Sequence, residues 1–126
     1  MGFTVECEVG ELRRGGRSVR VSRVLVDSGA EFTWLPRAML GRVGVSVAKR
    51  NLAFVLADGR IVKRSVGYAI LRANGFETVD EVVLAELGDL ALLGARTLEG
   101  FGAVVDARGK RLIPAGPHSA AFAASA

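Results

Sequence analysis

Hydrophobic and polar residues alternate along most of the chain with the period of a β-strand. Phe3, Val5 and Cys7 interleave with Thr4, Glu6 and Glu8, which predicts a strand with one buried face. The glycine-containing stretch over 11–17 predicts a turn, because glycine takes positive φ without a Cβ clash. Val19, Val21 and Arg23 continue the alternation before the apolar run Val24-Leu25-Val26. That change of pattern predicts a strand passing from an exposed edge into the core. Asp27-Ser28-Gly29-Ala30 ends it. A short extended piece over 32–35 follows, then a short helix from Pro36 through Leu40, stopped by Gly41 and Gly44. Proline suits the first helical turn because its missing N–H is not needed there.

The second half repeats the theme. Strands are predicted over 52–56 and 61–62 around the hairpin signal Asp58-Gly59. Strands over 68–71 and 76–84 flank Asn74-Gly75, the strongest short hairpin turn in the sequence. A buried strand over 90–93 ends at Gly94, one or two helical turns cover 95–99, and a last hairpin folds around Arg108-Gly109. The runs over 24–29 and 90–94 echo each other, since both are apolar and end abruptly at glycine. The reading is all-β with one or two short helices. Its 126 residues suit a single domain, placed over 1–115, with a loose tail over 116–126. Sixteen glycines fit the many tight turns of such a domain.

Composition narrows the function classes. The formal net charge is +4, but basic residues are mixed with acids along the chain. The expectation is a soluble, basic-leaning surface with no nucleic-acid partner and no membrane partner. Cys7 is the only cysteine, so neither an intrachain disulfide nor a multi-cysteine metal site can form. The start MGFTVECEVG lacks the pattern of a signal peptide, and the apolar runs are short for a membrane span. A cytoplasmic location fits these features. His118 stands alone in an Ala/Ser tail and suits a surface residue better than a ligand. No metal and no cofactor are expected.

Asp27 is the chemically unusual residue. A carboxylate directly after Val24-Leu25-Val26 stands at the rim of a core, where a charge is costly unless hydrogen bonds or a partner satisfy it. Ser28 and Gly29 offer N–H groups, and Gly29 allows another backbone or a ligand close approach. The same residues also suit an ordinary Asx turn. Ser28 as a nucleophile lacks an oriented base, since His118 is the sole imidazole.

The segment Val24-Leu25-Val26-Asp27-Ser28-Gly29-Ala30 resembles the active-site segment of retropepsin-like aspartic proteases. Leu92-Leu93-Gly94, followed by the helix over 95–99, resembles their second signature. Ala57-Asp58-Gly59-Arg60 lies where that group places its flap hairpin. Order and approximate spacing match over 19–113, closest to small cellular and prokaryotic members. The resemblance implies a closed or partly open β-barrel and an aspartic endopeptidase acting on peptide or protein substrates as a homodimer.

It further implies that Asp27 is the one catalytic carboxylate of each subunit, meeting its counterpart across the dimer axis. Like charges that close share a proton, so one carboxyl acts as acid and one as base on a bound water. Ser28 would lock the two loops across the dimer, and the Gly29 N–H would support the carboxylate. Ala30, Ala57, Asp58, Gly59, Leu93 and Gly94 would form the substrate site, with Leu93 and Gly94 beneath it. The flap would close over substrate. Departures from retroviral members are Asp58 and Arg60 at the flap tip, Glu31 in place of Asp, Ala95 in place of Arg, and the added terminal hairpin. An ion pair between Glu31 and Arg96 is expected beneath the cleft.

Two other readings compete. A protease-like domain can serve as an inactive dimerisation or peptide-binding module. A small β-barrel binding a cyclic dinucleotide is suggested by the spacing of Arg13 and Arg17, since arginines suit phosphate recognition. Asp27-Ser28-Gly29 would be its second cluster.

Overall fold

The computed structural model describes residues 2–117. His118 and the rest of the expected tail over 118–126 lie outside the described residues. Nine strands and two helices run in the order β1 (Thr4–Gly10), β2 (Ser18–Val26), β3 (Thr33–Pro36), α1 (Arg37–Arg42), β4 (Lys49–Val55), β5 (Ile61–Ala73), β6 (Phe76–Ala85), β7 (Leu92–Leu93), α2 (Ala95–Phe101), β8 (Ala103–Asp106) and β9 (Arg111–Pro114). The order of the large sheet is β1-β2-β7-β3-β6-β5-β4, and β1 also pairs with β5. That extra pairing closes six strands into a ring, leaving β4 attached to the first half of β5. The fold is all-β, as the alternation predicts.

The ring's interior is the main core. Val5, Cys7 and Val9 point inward from β1, and Leu35, Leu40, Leu71 and Leu93 are fully buried. Alternation on β1 puts its charged residues on the outer face. On β2 the phase changes. Val5 pairs with Val24 but Cys7 with Val21, so Ser22 and Arg23 together oppose Glu6. This is a β-bulge, with Arg23 at φ 56°. It turns Val24 and Val26 inward after Val21. Arg23 is therefore exposed at a bulge rather than the next member of the alternation.

Other boundaries also shift. Helix α1 runs through Gly41 to Arg42, and the chain breaks away at Gly44, with φ 85°. A single glycine costs a helix only about 1 kcal/mol, so Gly41 does not stop it. Strand β5 is one continuous strand covering both of the expected pieces at 61–62 and 68–71. Asn74 and Gly75 both take positive φ, 51° and 85°, as a two-residue hairpin turn requires. The strand expected over 90–93 contracts to β7. The last hairpin, β8 with β9, forms a separate two-stranded sheet.

β7 places the second apolar run beside the first. Leu25 pairs with Leu92 and Val26 with Leu93 in parallel. Trp34 of β3 pairs with Leu92 from the other side. The two segments that echo each other in the sequence are thus neighbours, and both end at the same edge of the ring.

Candidate active site

Asp27 is the first residue beyond β2. Its N–H donates to the Leu93 carbonyl at 3.0 Å. Its Oδ1 accepts the Gly29 N–H at 3.0 Å, and its carbonyl accepts the Ala30 N–H at 3.1 Å. The loop is therefore a tight turn closed by both backbone and side chain. Asp27 is half-buried while Ser28 and Gly29 are exposed. The far side of the loop is stitched to the start of α2: Ala95 N–H donates to the Ala30 carbonyl at 2.7 Å, and Arg96 N–H to the Glu31 carbonyl at 3.1 Å.

Two clefts flank Asp27, of about 690 Å³ and about 370 Å³. Asp27, Trp34, Leu56, Ala57 and Leu92 border both, so Asp27 stands where the two clefts adjoin in one trough. The hairpin of β4 and β5 makes one wall. Phe54 of β4 meets Phe32 edge-on at 5.5 Å and Trp34 at 5.3 Å. Such pairs add about 0.5–1.5 kcal/mol beyond their burial. These aromatics give the larger cleft an apolar wall, with Asp27 and Glu31 also in its lining.

The residues expected at the site separate into two sets. Ala30 borders the larger cleft, Asp58 the smaller and Ala57 both. Gly59 sits in the hairpin turn with φ 86°, where its conformation demands glycine. Leu93 and Gly94 are buried and border neither cleft, so their place is behind Asp27. A Cβ on Gly94 would collide with the Phe32 carbonyl and lie 2.8 Å from that of Glu31.

The carboxylates around the trough differ in their partners. Asp58 is held below the usual carboxylate range, chiefly by the Arg60 N–H and then its guanidinium. Asp89 is lowered chiefly by Arg64. No cation pairs with Asp27 among the described residues. The expected ion pair between Glu31 and Arg96 does not form. The Arg96 guanidinium lies 3.3 Å from Glu81 and 4.9 Å from the centre of the Phe32 ring. Glu81 also binds Lys49 at 3.0 Å and is more buried than Glu31, so it offers the better-defined counter-charge. Lys49 foremost, then Arg96, lowers its carboxyl.

The dinucleotide reading loses its geometry. Arg13 and Arg17 precede β2 and Asp27 follows it, which separates them by about 30 Å of extended strand. Arg13 is paired with Glu11 at 3.3 Å.

Several residues at the site escaped the sequence reading. Thr33 and Thr97 are fully buried and touch through their hydroxyls at 2.6 Å. Thr97 also donates to Asp80 at 2.8 Å. Thr33, inside the apolar stretch Phe32-Thr33-Trp34-Leu35, reads simply as a strand former. Its only signal is a hydroxyl set among apolar neighbours.

Among the described residues, no group of three or more His, Cys, Asp or Glu is placed to hold a metal ion. No described helix is long and apolar enough to cross a membrane.

A ring of strands, with an Asp loop set against the glycine that opens a short helix, defines a retropepsin-like fold. The crystal structure of the retroviral protease-like domain of Ddi1 from Leishmania major shares it. The TM-score is 0.57 and the sequence identity 19%, over 93% of this chain and 90% of that one. No family model matches the sequence, and no curated protein matches it. The likeness is one of fold.

Proposed function

We propose that the chain is an aspartic endopeptidase whose active form is a homodimer, with Asp27 of each copy forming the catalytic pair. The observation that carries this reading is the position of Asp27. It borders both clefts, accepts the Gly29 N–H, and forms no ion pair with a cation among the described residues. A carboxylate neutralised by arginine is a poor proton carrier, and that describes Asp58 and Asp89. Asp27 is open to a second carboxyl and a water.

Two such carboxylates brought together share one proton, because both cannot stay charged at contact distance. The ionised one takes a proton from the water, whose oxygen attacks the peptide carbonyl. The protonated one donates to the carbonyl oxygen, giving a gem-diol. The nitrogen then takes a proton from the pair, and the C–N bond breaks to release the amine. A gem-diol hydroxyl returns its proton to the other carboxylate. The β4–β5 hairpin then acts as the flap, lying over an extended peptide whose apolar side chains meet Phe32, Trp34 and Phe54. No covalent intermediate is required.

Digestion of denatured casein across a range of pH, with Asp27→Asn as control, tests the assignment. Wild type is expected to cleave, and Asp27→Asn to be folded and inactive. Equal cleavage by both proteins rejects Asp27 as the catalytic residue. A wild type that binds peptide without cutting it identifies a binding module instead.

A further inference from the structure

The peptide unit between Leu93 and Gly94 is held at both ends. Its carbonyl accepts the Asp27 N–H at 3.0 Å. Its N–H donates to Thr33 Oγ1, also at 3.0 Å. A peptide unit is planar and rigid, so whatever fixes one end fixes the other. The orientation of this plane therefore sets the direction from which the backbone of Asp27 is held.

Behind Thr33 stands a chain of hydroxyls that ends on a carboxylate. Thr33 Oγ1 lies 2.6 Å from Thr97 Oγ1, and Thr97 Oγ1 lies 2.8 Å from Asp80 Oδ2. Both threonines have no exposed surface. A hydroxyl has one proton to give, and a carboxylate can only accept. Thr97 must then donate to Asp80, and Thr33 must donate to Thr97. This leaves the Thr33 oxygen as an acceptor for Gly94. Asp80, on β6, sets the sense of every bond in the chain, and the chain leads to the loop that carries Asp27.

We propose, on the reading of Asp27 as the catalytic residue, that Thr33, Thr97 and Asp80 are positioning residues for it. They lock the Leu93–Gly94 peptide plane and through it the Asp27 backbone. Gly94 belongs to the same device, because a side chain there would push the plane away from Phe32 and Glu31. The alternative is that the threonines satisfy only one another, with no consequence for Asp27.

Thr33→Val and Thr33→Ser in the full chain distinguish these. Valine keeps the shape and removes the hydroxyl, while serine keeps the hydroxyl. The expected result for Thr33→Val is a kcat lowered about tenfold to a hundredfold, the cost of a misplaced reacting group, with KM little changed. Thr33→Ser should recover most of the loss. Amide hydrogen exchange at Asp27 and Gly94 should speed up in Thr33→Val and stay slow in Thr33→Ser. Asp80→Ala, at a half-buried position, serves if Thr33→Val does not fold, and is expected to lower kcat and speed Asp27 exchange. Wild-type kcat and wild-type Asp27 exchange in Thr33→Val, or in Asp80→Ala where Thr33→Val does not fold, overturn the proposal. If the wild-type protein cuts no peptide, the peptidase reading fails. The exchange data alone then decide this inference, and unchanged Asp27 protection rejects it.

Discussion

Arg64 grips Asp89 with two parallel hydrogen bonds, Nε to Oδ2 at 2.7 Å and Nη2 to Oδ1 at 2.9 Å. Asp89 Oδ2 also accepts the Glu86 N–H at 2.8 Å. The pair ties β5, where it leaves the β4–β5 hairpin, to the turn between β6 and β7. That turn borders the smaller cleft beside Asp27. The side chains are only 17% and 15% exposed, so water screens the pair poorly. Removing one partner strands the other charge. Arg64→Met is expected to lower stability by about 2–3 kcal/mol, somewhat under the loss for a fully buried pair. Urea unfolding measures it, and an unchanged midpoint would show that the pair contributes nothing.

The same pair has a pH signature. Arg64 holds the Asp89 carboxyl below its ordinary 3.8, with the Glu86 N–H helping and burial opposing. The unfolded chain then takes up the proton at a higher pH than the native one, so stability rises with pH between the two values. The contribution is complete well above 3.8 and is lost as pH falls through the native value. The stability difference between wild type and Asp89→Asn should therefore be largest near neutrality and shrink below about pH 4. A difference that stays constant from neutral to acid pH contradicts the shift.

Gly94 is a site of forced smallness rather than of special backbone. Its φ of −95° and ψ of 177° are open to any residue. The space is not: a Cβ would lie 2.6 Å from the Phe32 carbonyl carbon and 2.8 Å from the Glu31 oxygen. Both are backbone atoms of the loop past Asp27, so relief requires the loop to move. Gly94→Ala is expected to cost about 1–3 kcal/mol as overpacking. It should reduce peptidase activity further than the folded fraction explains. Activity that follows the folded fraction alone would show that the loop adapts without moving Asp27.

The sequence was most legible where local chemistry decides the structure. Asn74-Gly75 specifies its hairpin by itself, and the alternation over 3–8 marks β1 because one face meets the core. Both glycine-ended apolar runs were visible, and the structure pairs them as β2 and β7. Legibility failed where a distant partner decides. The polar stretch Lys63-Arg64-Ser65 lies between the two strand pieces expected over 61–62 and 68–71, yet it belongs to β5: Arg64 pairs with Asp89 and Ser65 is buried. Arg96 reaches Glu81 on β6, 15 residues away in sequence, although its own N–H bonds the Glu31 carbonyl. Thr33 and Thr97 are 64 residues apart, and nothing in either neighbourhood announces the contact.

Cys7 offers an independent check on the ring. Its side chain has no exposed surface, at the centre of β1. Burial pushes its thiol up from 9.0 to about 12, and the thiolate is the reactive form. The native protein at mildly alkaline pH is expected to resist thiol-specific reagents, and to react with one equivalent once unfolded in urea. The labelling rate then reports the opening of the ring. Rapid labelling of native protein would mean that β1 does not seal the core.

A catalytic pair shared between two chains leaves a mark that a single-chain enzyme cannot. Asp27→Asn keeps the shape of the side chain and removes its charge, so variant chains should still pair with wild-type chains. If the chain is the proposed homodimer, mixing equal amounts, with time for exchange, would distribute subunits among both homodimers and the mixed dimer. Only dimers with two intact Asp27 residues hold both an acid and a base. If the mixed dimer is inactive, the total activity of the wild-type chains should fall to about half, and the activity per dimer to about a quarter of pure wild type. Adding more variant should suppress it further, and diluting wild type alone should lower specific activity as dimers separate. Activity that simply tracks the amount of wild-type chain, at every ratio and dilution, would place the whole reaction within one copy and remove the need for a second Asp27.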